Sequence, residues 1–258
     1  MLMTLGLTMA SSSCTTGSTL TSCERLRLVG LNSFAVTHGD YELKRGTFGE
    51  ACEDGTLPIH LGPRSAMSDT AQWSDEIRWG DSGEVLSPYT LPWRLTSILG
   101  DATGMASAEA ELGDQKTLLE SIPSGMPVQV VVVLAKPLKE SEVRALWSDP
   151  RTLLMAPAQP LIWEEPISCD HRGFDTCAFD THPEPFTAQF RKWVSLLRAD
   201  DAPILAQFKL KLPQLQKYAS DGLVYGFTAR NLPDPIRAIV KDPRIRAVYV
   251  VDTDLPRP

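Results

Sequence analysis

Val143-Arg144-Ala145-Leu146-Trp147-Ser148-Asp149-Pro150-Arg151 and Ile236-Arg237-Ala238-Ile239-Val240-Lys241-Asp242-Pro243-Arg244 are near-copies of one nonapeptide. Arg, Ala, Asp, Pro and Arg coincide, and the first and fourth positions are aliphatic in both. Apolar β-like runs precede the copies, Val128 to Leu134 and Leu223 to Ala229, and further runs follow them, Thr152 to Ala156 and Ile245 to Asp252. The run from Val128 is β-branched nearly throughout, which suits a central strand buried on both faces. Over Lys139 to Trp147, apolar Val143, Leu146 and Trp147 recur at helical spacing. Glu140 and Glu142 fall in the first turn, where the helix dipole favours acids. Pro233 and Pro235 suit the first turn of a second helix, Pro233 to Val240, where a missing N–H costs least. The predicted unit is strand, helix, tight Asp-Pro turn, strand, occurring twice.

Two such units in one sheet make an α+β fold of the ferredoxin-like split β-α-β kind, with two helices on one face of four antiparallel strands. The stretch between the copies is far longer than a β-β connection needs, so residues 165–221 read as a helical insertion. Phe186, Phe190, Trp193, Val194 and Leu197 form an apolar stripe on a helix that follows Pro183-Glu184-Pro185. Ala202 to Leu210 and Pro213 to Ala219 read as further helices, with Gly222 as a C-terminal stop. The stripe is expected to pack on the open sheet face or against residues 24–125. That earlier stretch is predicted to be an acidic irregular region or a small subdomain, ahead of a module spanning 126–258. Arg25 to Val36 alternates weakly and reads as a strand, and residues 56–91 read as loops packed by Trp73, Trp79 and Trp93. Short helices are expected over Leu91 to Leu99 and Ser107 to Ser121.

A chain of 258 residues with 43% hydrophobic residues and six Trp has enough apolar material for a real core. Its formal charge of −7 is uneven: residues 24–127 net −8 and residues 128–258 net +1. Nucleic-acid binding needs a concentrated basic face and is not expected. Gly80-Asp81-Ser82-Gly83 has the letters of a serine-protease nucleophile, but the histidines upstream, His38 and His60, lack the matching surroundings; it reads as a polar turn. No Gly-x-Ser-x-Gly elbow, phosphate-binding loop, Gly-x-Gly-x-x-Gly fingerprint or His-Glu-x-x-His pair occurs. The expectation is a chain that is not an enzyme, with no catalytic residues and no cofactor.

Cys169 and Cys177 flank a Gly-containing loop that allows a local disulfide. With His171 and His182 they also make a conceivable zinc set, but the spacing matches no common zinc module, and a disulfide uses the same sulfurs. No metal is expected. The first 23 residues carry no charged side chain. Met1 to Ala10 is short and apolar, and Ser11 to Ser22 is almost purely Ser, Thr, Gly and Cys. This resembles the signal segment and tether of a bacterial lipoprotein, residues 1–23, in which a cysteine receives lipid. Leu20-Thr21-Ser22-Cys23 has the better surrounding residues, and Ser11-Ser12-Ser13-Cys14 the better position. If Cys14 is lipidated, Cys23 and Cys52 remain for a second bridge; if Cys23 is lipidated, Cys52 is left free. The resemblance implies an extracytoplasmic protein whose only contact with the membrane is a lipid anchor.

Gly226-Phe227-Thr228-Ala229, a following helix, then Asp242-Pro243-Arg244-Ile245 and an acidic end resemble the subtilisin propeptide and inhibitor family. That family is ferredoxin-like, and its members lay a sheet face on the protease and thread a C-terminal tail into the active site. The resemblance implies a partner-binding tail here at Asp254, Leu255 and Arg257. The functional expectation is a non-enzymatic extracytoplasmic binding or regulatory lipoprotein with a protein partner, or else a free-standing inhibitor or folding helper of a subtilisin-like protease.

Overall fold

The computed structural model describes residues 22–44, 55–64, 73–79, 85–86, 95, 98, 108–157, 161–163, 167–169, 177–179 and 185–253. Its strands are β1 Tyr41–Leu43, β2 Thr56–Pro63, β3 Trp73–Trp79, β4 Val85–Leu86, β5 Val128–Lys139, β6 Thr152–Leu154, β7 Ile162–Trp163, β8 Ile167–Cys169, β9 Cys177–Phe179, β10 Leu223–Asn231 and β11 Ile245–Thr253. Its α-helices are α1 Ser22–Arg25, α2 Asn32–Thr37, α3 Ala108–Ser121, α4 Glu140–Leu146, α5 Phe186–Leu196, α6 Ala202–Gln207, α7 Leu212–Asp221 and α8 Pro233–Ile239. The architecture is α+β with antiparallel sheets.

Both repeat units contribute to one five-stranded sheet in the order β11-β5-β10-β6-β7. β5 is central, paired antiparallel with β11 on one side and β10 on the other. Val130, Val131 and Val132 are all 0% exposed, as a two-sided strand of β-branched residues requires. Period-two alternation sends successive residues to opposite faces. Val128, Val130, Val132, Phe227, Val248 and Val250 join Val143 of α4 and Ile236 of α8 in the larger core. Val131, Val133, Leu154, Ala247, Tyr249 and Val251 form a second apolar layer, capped by buried Leu95 and Ile98.

Two expectations for the N-terminal region are corrected. Arg25 to Val36 is not a strand: it is helical through α1, a π-helical segment at Leu26–Leu31, and α2. Arg25 and Arg27 beside Leu26 and Leu28 imitate strand alternation, while the π segment breaks the 3.6-residue period that would have marked a helix. The Leu28 carbonyl accepts from the Asn32 side chain at 2.9 Å and from the Trp193 indole at 3.2 Å. Residues 56–91 are not wholly irregular either. β1 to β4 pair in sequence order into an antiparallel sheet, and Leu57, Ile59 and Leu61 point one way into the core. Pro58 and Gly62 interrupt that alternation and obscured it.

The insertion's stripe forms as expected: Phe190, Trp193 and Val194 of α5 are buried. The Trp163 ring of β7 lies 5.0 Å from Phe190 and 5.4 Å from Trp193. The same surface meets the N-terminal helices through the Trp193–Leu28 hydrogen bond, so the insertion packs against residues 24–125. α7 ends at Gly222 with φ of 59°, the left-handed geometry of a helix stop.

Gly226 shows why the Gly-Phe pair is needed. A Cβ there would stand 2.4 Å from the Val132 carbonyl oxygen and 2.7 Å from Leu154 Cδ1, beside a register irregularity in the β10–β5 pairing. Replacing Gly226 with alanine is expected to cost about 1–3 kcal/mol or more, because backbone must move in the middle of the sheet. A shift in the urea midpoint measures it; an unchanged midpoint would mean that β10 is not held against β5 as described.

Candidate functional site

The repeat places an arginine at the same position in both helices, Arg144 and Arg237, and each secures a different neighbouring helix. Arg144 pairs with Glu140 one turn earlier at 2.8 Å. Glu140 is 5% exposed, and its carboxylate accepts from the backbone N–H groups of Phe186 at 3.0 Å and Thr187 at 2.8 Å, and from the Thr187 hydroxyl at 2.9 Å. This satisfies the otherwise unpartnered N-terminal donors of α5. Arg237 does the converse: its guanidinium donates to the carbonyls of Leu119, Glu120 and Ile122 at the end of α3, where a cation opposes the helix dipole. Arg25 and buried Asp201 form a third such link, joining α1 to the short 3₁₀ turn Ala199–Asp201.

The turn after α8 is locked in a similar way. Asp242 accepts from the Arg244 backbone N–H at 2.9 Å and from its guanidinium at 2.9 and 2.7 Å. The Arg244 guanidinium and backbone N–H hold the Asp242 carboxyl down at about 2. The Asp242 carbonyl accepts from Ile245 N, closing the Asp-Pro turn into β11.

Two histidines lie among the described residues. His60 Nδ1 lies 3.0 Å from Ser74 Oγ across the β2–β3 pairing. The pair is solvent-exposed on a sheet face, a setting suited to a cross-strand polar contact rather than to an activated nucleophile. His38 ends α2, with its ring stacked 4.1 Å from Phe34 and edge-on 6.0 Å from Phe208. Its Nδ1 lies 3.1 Å from the Phe34 carbonyl and 3.0 Å from Thr37 Oγ1. Fully buried Asp40, two residues on, accepts from Leu95 N at 2.9 Å and so anchors the segment capping the second sheet layer.

A cleft of about 150 Å³ opens between α3 and the outer edge of β11, lined by Gln115, Lys116, Leu119, Val240, Arg246 and Val248 among others. Gln115 Oε1 reaches across to accept the Val250 N–H at 2.9 Å. This is the feature that sequence reasoning missed. Its walls come from segments more than a hundred positions apart, and neither carries a local signature.

The residues singled out from sequence are only partly in view. Cys169 and Cys177 face each other directly in the β8–β9 register, a placement whose Cα separation a disulfide can span. Cys23 is disulfide-bonded, and its partner is not among the described side chains. Cys14, Cys52, His171, His182, Gly80 to Gly83 and the tail at Asp254, Leu255 and Arg257 lie outside the described residues. Among the described residues no three His, Cys, Asp or Glu side chains gather as a metal site, and no helix is long and apolar enough to cross a membrane.

Burial holds the His38 imidazole below its ordinary value of 6.5, against the opposing effects of the Phe34 carbonyl and the Asp40 charge. The unfolded chain therefore binds a proton just below pH 6.5 that the folded chain refuses. Stability is expected to be intact above that pH and to fall as pH drops through it. Urea midpoints from pH 8 to 5 check this, and His38→Phe, which keeps the ring stack, is expected to flatten that slope. No protein-family model, curated protein or solved structure matches the chain.

Proposed function

We propose that this chain is a non-enzymatic, extracytoplasmic binding or regulatory protein tethered by lipid on Cys14. Its 126–258 half is read as a ferredoxin-like split β-α-β module carrying the 165–221 insertion. The strand order β11-β5-β10-β6, with α4 and α8 packed into the same core, supports that fold name. The compartment rests on one observation, the disulfide at Cys23. A bonded sulfur cannot take up lipid, and stable disulfides belong to oxidising compartments. Pairing Cys23 with Cys52 and Cys169 with Cys177 then uses every cysteine, with Cys14 left for the anchor. The buried carboxylates Glu140, Asp201 and Asp40 hold helix ends and loop backbone, which suits a scaffold for binding more than an acid–base centre.

Expression of the full chain in a bacterium fed labelled palmitate tests the anchor. Label is expected on the parent chain and on Cys23→Ser, and absent from Cys14→Ser; label surviving in Cys14→Ser, or absent throughout, overturns it. Non-reducing peptide mapping checks the two bridges in the same preparation.

The second reading, an inhibitor or folding helper of a subtilisin-like protease, is favoured by one observation: Gly226, Phe227 and Ala229 sit in β10 beside central β5. Against it, Leu95 and Ile98 cover the apolar layer on the sheet side opposite α4 and α8. A protease could reach that layer only by displacing them. Titration of the purified chain against subtilisin is therefore expected to leave proteolysis unchanged at micromolar protein. Stoichiometric inhibition would reverse the order of the two readings.

A further inference from the structure

We infer that the outer edge of β11 at Val248, together with Arg246 and the facing side of α3, is a docking groove for an extended acidic peptide segment. The proposal deepens the binding reading above, and rests on it, by naming the partner's chemistry. The Val250 N–H donates across the strand edge to Gln115, so it points away from β5. The register runs unbroken from Val248 opposite Val132 to Val250 opposite Val130. Backbone groups repeat every second residue along a strand, so the Val248 N–H and carbonyl face outward too. At Val250 the helix occupies the edge. At Arg246 and Val248 the cleft opens instead.

Outward backbone at Val248, beside a helix and next to the irregular register at Arg246, is a place that accepts a short added strand. The cleft supplies what such a strand would need: Leu119 and Val240 as an apolar wall for one side chain, and Lys116 and Arg246 as a basic rim. Both basic residues are exposed. A cationic rim on a chain of net charge −7 selects acidic over basic segments by charge complementarity. The volume of about 150 Å³ limits the fit to one side chain, beside the backbone groups of Val248.

The test uses the full chain and a fluorescein-labelled hexapeptide of alternating valine and glutamate, with its valine–lysine counterpart as control. Fluorescence anisotropy is expected to show saturable binding of the glutamate peptide that weakens with salt. The Lys116→Glu, Arg246→Glu double variant is expected to bind it about tenfold or more weakly. Both changes lie on the surface, and an unchanged melting curve confirms that the variant is folded. Amide exchange is expected to slow at Val248 when the peptide binds. Equal binding of the lysine peptide, indifference to the charge reversal, an unresponsive Val248 amide, or no saturation in the millimolar range overturns the groove. Palmitate labelling reports on the anchor independently, so failure of one leaves the other standing.

Discussion

Burial of β5 on both faces and along both edges is the constraint from which the rest follows. A strand made of valine has no polar side to turn to water, so it needs a strand on either flank and an apolar layer above and below. β10 and β11 supply the flanks. α4, α8, the insertion and the N-terminal helices supply one layer, and the segment carrying Leu95 and Ile98 contributes to the other. Each fully buried valine contributes roughly 1.5–3 kcal/mol relative to exposure. The run therefore outweighs any single polar contact on the surface.

The two repeat units have diverged in what they hold. Arg144 acts through Glu140 on the start of α5, and Arg237 acts directly on the end of α3. The same lattice position thus recruits opposite poles of two helices, one through a carboxylate and the other through a guanidinium. The Asp-Pro turns differ as well. Asp242 closes on Arg244, whereas the Asp149 carbonyl accepts the Trp147 indole N–H at 3.1 Å.

How much could be read in advance depended on whether the signal was local. The β-branched run at Val128, the second Asp-Pro turn, the α5 stripe and the Gly222 stop each declare themselves within a few residues, and each forms as expected; at Asp149-Pro150 the chain leaves α4 through extended Trp147 without the hydrogen-bonded turn that the repeat predicted. Leu57, Ile59 and Leu61 also alternate, but Pro58 and Gly62 between them are residues that normally argue against a strand. The N-terminal helix imitates a strand because charged and apolar residues alternate there while a π segment disturbs the helical period. Glu140 was legible as a first-turn acid, but its capping of α5 was not, since Phe186 and Thr187 are brought to it by tertiary packing. The edge cleft is of the same kind: Gln115 and Val250 meet only after the sheet has formed.

The pairing of β5 with β11 also bears on how the molecule comes to be folded. Val128 is matched with Thr253, and Val131 with Tyr249, so the most apolar strand has neither neighbour until the second repeat has emerged from the ribosome. Closing so long a loop is entropically slow. In the interval a bare valine ribbon with two open edges invites self-association. A nascent chain of this design leaves that ribbon without a partner on either edge until synthesis has passed β11.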